Sequence, residues 1–249
     1  MISRNFTRAA IPVALLFLCL PATAGVLGTL DVQYVGQGAD RLVTNEGDLD
    51  GNGTYEVSSY GSAGVYQQLS QNPTGEGVLL PTPDLWSFCI EPDQDVPTTF
   101  QTYDVRPLED GPQGTTWHTG PLTTTQANEL RELWGRFWNP VWTTTGFPDP
   151  ENDNAAGFGV AIKEIIYEST ASPLDATMGR FRVDPADAIV AGVANSYLAQ
   201  LTGDTQFFAD LRILTNPDYQ DFIVQVPEPA TLVLMGLGGL LVLRLRRLT

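Results

Sequence analysis

The sequence predicts an α+β domain, and three observations carry that prediction. Short runs of alternating apolar and polar residues fill the first half, helical runs with start signals follow, and one more alternating run returns near the C-terminus. From Gly25 to about Thr102 the pattern is that of short antiparallel strands. LDVQYVG alternates Leu30, Val32 and Tyr34 with polar neighbours, and TYEVSSY, VYQQL and WSFCI repeat the pattern. GDLDGNG, residues 47–53, is dense in turn formers and predicts a hairpin connection. A loop region rich in Pro, Gly and Thr runs from Arg106 to Thr125 and holds the chain's one histidine, His118. The first helix is predicted in TTTQANELRELWGRFW, with Thr125 as cap, Leu130, Leu133, Trp134, Phe137 and Trp138 on one side, and Asn139-Pro140 as the stop. The second runs from Ala155 to Ser169 with Phe158, Ala161, Ile162 and Ile165 as its apolar stripe. The third begins near Asp184-Pro185 and continues to Leu201. DFIVQV, from Asp221, is the returning strand.

Charge narrows the function classes. Across 249 residues, 13 Lys and Arg face 29 Asp and Glu, a net charge of −16. A chain this acidic repels phosphate backbones, which argues against nucleic acid as a partner. Five of the arginines lie in the two terminal segments, so the body between them is more acidic in proportion, and such a body attracts divalent cations.

Those terminal segments give the chain an address. Residues 1–24 place Arg4 and Arg8 before an apolar run from Ile11 to Leu20 and close on Ala22-Thr23-Ala24. This is the order of a secretory signal peptide, with cleavage expected between Ala24 and Gly25. At the other end Pro227-Glu228-Pro229 precedes an apolar run, residues 230–243, and a basic end, 244–249, carrying Arg244, Arg246 and Arg247. A helix over 230–243, rising ~1.5 Å per residue, covers about two thirds of a ~30 Å hydrocarbon core, and its arginines should stay on the cytoplasmic side. This three-part tail, residues 227–249, resembles the PEP-CTERM sorting signal of exported proteins in Gram-negative, exopolysaccharide-producing bacteria. The resemblance implies an exosortase-type enzyme as partner, with Pro227, Glu228 and Pro229 as substrate positions. It also implies a transient C-terminal tether to the inner membrane, and a final place at the cell surface or outside the cell, around exopolysaccharide, biofilm or the envelope. Proline on both sides of Glu228 keeps secondary structure from running into the membrane and leaves an extended segment for an enzyme to grip.

The body, residues 25–226, holds several candidate constellations. Cys89 becomes the one cysteine once the signal peptide is removed, and a lone cysteine in an exported chain is either a buried small hydrophobe or a reactive thiol. FCIEP, a following tryptophan-bearing helix and then AAGFGVAIKEIIYE together resemble the thioester-type domains of bacterial surface proteins, over about residues 85–215. In those domains a strand cysteine bonds to a glutamine on a later helix. Here Cys89 matches the cysteine, and Phe158, Ala161, Ile162, Glu164 and Ile165 match the helix. Gly159 stands at the glutamine position and Lys163 at that of a tryptophan, so the resemblance implies a retained fold without that acyl partner. A thioester through Cys89 would need another carboxamide such as Gln126. Lys163 is the chain's one lysine, expected on the solvated face of its helix.

Asp48, Asp50 and Asn52 stand at positions 1, 3 and 5 of a calcium-loop opening, with Gly51 between them, Gly53 at 6 and Glu56 at 9. Position 12, where a bidentate glutamate belongs, is Ser59, so the loop reads as a partial Ca²⁺ site or a plain turn. Trp134, Trp138 and Trp142 either pack in the core or stack on sugar rings. His118 has no triad or zinc-ligand motif around it, so no catalytic residues are assigned. The sequence thus predicts a non-enzymatic, exported surface or matrix protein without a resident cofactor. A covalent adhesin through Cys89 and a calcium- or carbohydrate-binding module are the alternatives.

Overall fold

The computed structural model describes residues 25–227, apart from 51, 113–116, 118–120, 145–147 and 169–172. The signal peptide, His118, and the tail from Glu228 onward, with the predicted helix 230–243 and the basic end, lie outside the described residues.

Among the described residues, nine strands and three α-helices follow one another in a mixed order. The strands are β1 (Gly28–Gln37), β2 (Leu42–Gly47), β3 (Val57–Ser62), β4 (Tyr66–Gly75), β5 (Asp84–Cys89), β6 (Gln101–Pro107), β7 (Phe181–Val183), β8 (Leu211–Asn216) and β9 (Tyr219–Gln225). The helices are α1 (Thr124–Phe137), α2 (Asp149–Tyr167) and α3 (Ala188–Leu198). Six strands close into an antiparallel barrel in the order β1-β4-β5-β9-β8-β6, while β3-β2-β7 form a separate three-stranded sheet. Closure comes from β1, which pairs with β4 through Val32↔Ser70 and with β6 through Leu30↔Tyr103. A closed barrel leaves none of its strands with an unpaired edge.

The alternation read in the sequence sorts residues between the two faces of the barrel wall. Leu30, Val32, Leu85, Cys89, Tyr103, Leu214 and Phe222 belong to one buried cluster, the barrel interior. Tyr66 and Tyr103 pack their rings 5.8 and 5.9 Å from Phe222 there. Phe88, Ile213 and Ile223, one step out of register, belong to a second and larger cluster shared with the helices. On that outer face Phe158 of α2 meets Phe88 at 5.0 Å, and Trp134 and Trp142 at 5.5 Å each.

Local chemistry sets the helix ends. Thr123, two residues before the expected cap, opens α1 with a capping box: its hydroxyl accepts from Gln126 N, and the Gln126 carboxamide returns to the Thr123 N–H. The helix stops before Asn139-Pro140, as expected. α2 begins earlier than predicted, at Asp149, where Pro150 fits the first turn and Asp149 and Glu151 complement the helix dipole. Asp184 accepts from Ala186 N and starts the turn that leads into α3.

Helix α2 is the keel of the domain. Every residue from Ala155 to Glu168 is buried, including Lys163 at 1% exposure and Glu164 at 0%. This corrects the expectation of a solvated Lys163. The stretch is apolar nearly all round, and a helix of that kind is enclosed on all sides. A Cβ on Gly159 would stand 1.7 Å from the Ala63 carbonyl oxygen and 3.1 Å from Phe88 Cδ1, so glycine alone admits the close approach of α2 to the barrel wall.

Two carboxyl groups are buried with incomplete hydrogen bonding. Glu91 accepts from Asp221 N through Oε2 and Glu164 from Asp175 N through Oε1, while the other oxygen of each has no partner. Burial, then the Asp221 charge, pushes Glu91 up to about 8; burial, then the Glu168 and Asp175 charges, pushes Glu164 up to about 8.

Two outcomes are expected from this arrangement. G159A should lose about 1–3 kcal/mol of stability in urea unfolding, because the blocking atom is backbone. G192A on exposed α3, where the new methyl meets nothing within 4 Å, should gain about 0.5–1 kcal/mol. The folded chain holds more protons on Glu91 and Glu164 than the unfolded chain does between pH ~4.3 and about 8. Stability therefore falls as pH rises through that window, by at most about 1.4 kcal/mol per unit for each group, and levels off above it. Urea midpoints from pH 5 to 9 should show this slope in the native chain and a flatter one in E91Q/E164Q.

Candidate functional site

A cavity of about 710 Å³ opens where the barrel mouth meets the three-stranded sheet. Tyr34, Tyr66, Cys89 and Gln220 come from the barrel, Asn45 and all of β3 from the sheet, Pro92 to Val96 from the loop after β5, and Lys163 from α2. Asn45, Cys89, Lys163 and Gln220 are among its buried lining residues and make its floor. Tyr60, 71% exposed, stands at the rim with the exposed carboxylates of Glu56, Asp93 and Asp95.

Cys89 sits at the end of β5 facing into the barrel. Its Sγ donates to the Glu91 carbonyl at 3.3 Å, and Gln220 Nε2 donates to the same oxygen at 2.9 Å, which places a thiol and a carboxamide on one acceptor. Burial pushes the thiol up to about 11, against the pull of the Lys163 charge, so it stays protonated at neutral pH. Asn45 Nδ2 donates to the Ser59 carbonyl at 3.4 Å. The oxygens Asn45 Oδ1, Gln94 Oε1 and Gln220 Oε1 are buried and accept nothing. Lys163 makes no hydrogen bond or ion pair among the described residues.

Cys89 and Lys163 of α2 line the same cavity, and Gly159, the position where the thioester resemblance would need a glutamine, is pressed against Ala63 and Phe88. Gln126 does not replace the missing glutamine. Its Oε1 takes the Thr123 N–H and its Nε2 donates to the carbonyls of Ile165 and Ile166 at 2.9 and 3.1 Å, so its carboxamide is fully engaged.

Trp134 and Trp142 lie in the core and Trp138 packs partly buried against it, the first of the two placements the sequence leaves open. Trp134 and Trp142 are 1% and 2% exposed, and Trp138 stacks on Trp134 at 5.3 Å and meets Phe88 at 5.9 Å. At 1% and 2% exposure, the Trp134 and Trp142 rings offer no stacking surface. Their indole N–H groups are used inside the fold, Trp134 donating to Gln225 Oε1 and Trp142 to Glu151 Oε2.

Asp48, Asp50 and Glu56 hold carboxylate oxygens within 4.8 Å of one another, an all-oxygen donor set of the kind Ca²⁺ takes. The loop's own backbone accounts for the convergence, since Asp48 accepts from Asn52 N and Gly53 N, Glu56 from Leu49 N, and Asn52 Oδ1 from Thr54 N. Ser59, at the twelfth position, donates its hydroxyl to the Pro92 carbonyl.

At the amino end, Gly25 N lies 3.2 Å from Asp110 Oδ2. Sequence reasoning missed the lining residues Asn45, Gln94 and Gln220, which lie in three separate segments and share no motif. The one available signal was Lys163, a lone lysine beside Glu164 in a run that is apolar on both sides of the pair.

Among the described residues no helix is long and apolar enough to cross a membrane. No curated protein and no solved structure matches the chain. Residues 225–247 match the PEP-CTERM protein-sorting motif, which covers Pro227-Glu228-Pro229, the apolar run and the arginines. The chain thus carries the tail by which an exosortase recognises exported, membrane-anchored substrates.

Proposed function

We propose that this is a non-enzymatic exported protein whose barrel domain, residues 25–226, is delivered through its PEP-CTERM tail to the cell surface or extracellular matrix, in contact with exopolysaccharide or the envelope. The sorting-motif match over residues 225–247 is the observation that carries this reading. Its position supports the reading further, because the match starts at the last residue of β9, where the folded body ends. The geometry at the other end agrees with maturation before Gly25: cleavage there creates an ammonium 3.2 Å from Asp110 Oδ2. A protonated, buried thiol as the body's one cysteine supports the non-enzymatic reading.

A second reading, a covalent adhesin, is favoured by one contact. Cys89 Sγ and Gln220 Nε2 share the Glu91 carbonyl, so Sγ has a carboxamide beside it. Attack of sulfur on Gln220 Cδ would form the thioester and release the amide nitrogen as ammonia, the thiol proton leaving with it.

Intact and peptide mass spectrometry of the protein from its native host separates these readings. The sorted, inert protein gives a species that starts at Gly25, lacks the residues after the Pro227–Pro229 motif and is unshifted by methylamine. A retained tail in every fraction contradicts exosortase sorting. A mass low by about 17 Da that methylamine reverses, mapped to Cys89 and Gln220, establishes the adhesin instead.

A further inference from the structure

The cavity floor joins a cation to a set of acceptors, and none of them has a partner. Lys163 is 1% exposed and lines the cavity, and it makes no hydrogen bond or ion pair among the described residues. Asn45 is 1% exposed and Gln220 6%, and each turns its amide N–H to a backbone carbonyl, which leaves its oxygen free. Gln94 Oε1 is a third buried oxygen without a donor. A nearly buried ammonium without a counter-charge and buried carbonyl oxygens without donors each cost stability. The four residues line one cavity, and together they form a site that a ligand of matching chemistry would complete.

That complement has a definite chemistry. It must bring one negative charge for Lys163 and several O–H or N–H donors for the three amide oxygens. The rim carboxylates of Glu56, Asp93 and Asp95 repel a second negative charge and exclude phosphates and polycarboxylates. At about 710 Å³, the cavity holds a ligand of one or two sugar rings or a short peptide.

We infer that this cavity binds a small monocarboxylate rich in hydroxyl or N–H donors, its carboxylate on Lys163 and its donors on Asn45, Gln94 and Gln220. Sugar acids and amino acids both carry this chemistry. The site does not depend on how the chain is sorted, nor on Cys89.

A single lysine gives the test its readout. Full-length protein, made with 13Cε-lysine and held in detergent, carries one labelled side chain. D-Glucuronate and L-serine are the two probes; glucose supplies donors without charge and acetate supplies charge without donors. The site predicts a saturable shift of the labelled signal with glucuronate, with serine or with both, and whichever acts identifies the source. Glucose and acetate should bind at least about tenfold more weakly. K163M, which replaces the cation by an apolar chain of similar length, should fold with an unchanged circular dichroism spectrum and lose about 30-fold or more in affinity by calorimetry. No shift with either carboxylate overturns the proposal, as does glucose binding as tightly as glucuronate, or K163M binding normally. So does a native mass low by about 17 Da mapped to a Lys163–Asn45 amide, in which the two side chains have consumed each other.

Discussion

The approach of helix α2 to the barrel wall is the contact on which the rest of the structure depends. Gly159 lets the helix backbone come against the Ala63 carbonyl and the Phe88 ring, closer than any side chain would permit. One turn further along the same helix, that approach carries Lys163 to the base of the cavity and Glu164 toward Asp175. The aromatic cluster of Phe88, Trp134, Trp142 and Phe158 then closes over the junction. Burial of this apolar surface offsets the cost of enclosing charged groups along one helix.

Barrel and helix layer divide the labour. The closed barrel removes the unpaired edges that make an exported, isolated sheet prone to association. Its outer face supplies the platform for the helices, while β2 and β3 turn away to wall off the mouth. The result is a polar cavity with a cationic floor inside a strongly acidic body, and that contrast in sign gives the cavity its selectivity. The sorting tail begins where β9 leaves the barrel, so processing at that point removes no strand.

Much of this was legible in the sequence, because the evidence was local. β1, β3, β4, β5 and β9 showed as alternating runs, the three helices showed through caps and stops, and the tail showed as a compact motif. The pairing of β1 with both β4 and β6 did not, since closure joins residues about 40 and 75 positions apart and no period encodes it. β2, β6, β7 and β8 went unread because LVTNEG and QTYDVRP mix turn formers and charges into short runs, and FRV and LRILTN are too brief to declare their type. Lys163 was misplaced by treating one charge as the mark of a polar face, although the apolar residues on both sides of the Lys163 and Glu164 pair signalled enclosure. The tryptophans allowed two readings until Phe88 and Phe158 were seen to pack against them.

Hydrogen exchange resolved by peptide tests the central place of α2 most directly. Amides from Phe158 to Tyr167 should exchange as slowly as those of β5 and β9, opening only when the whole domain unfolds. Exchange of this segment orders of magnitude faster than that of the barrel strands would show α2 to be a detachable cover, and would contradict the fold's dependence on the contact at Gly159.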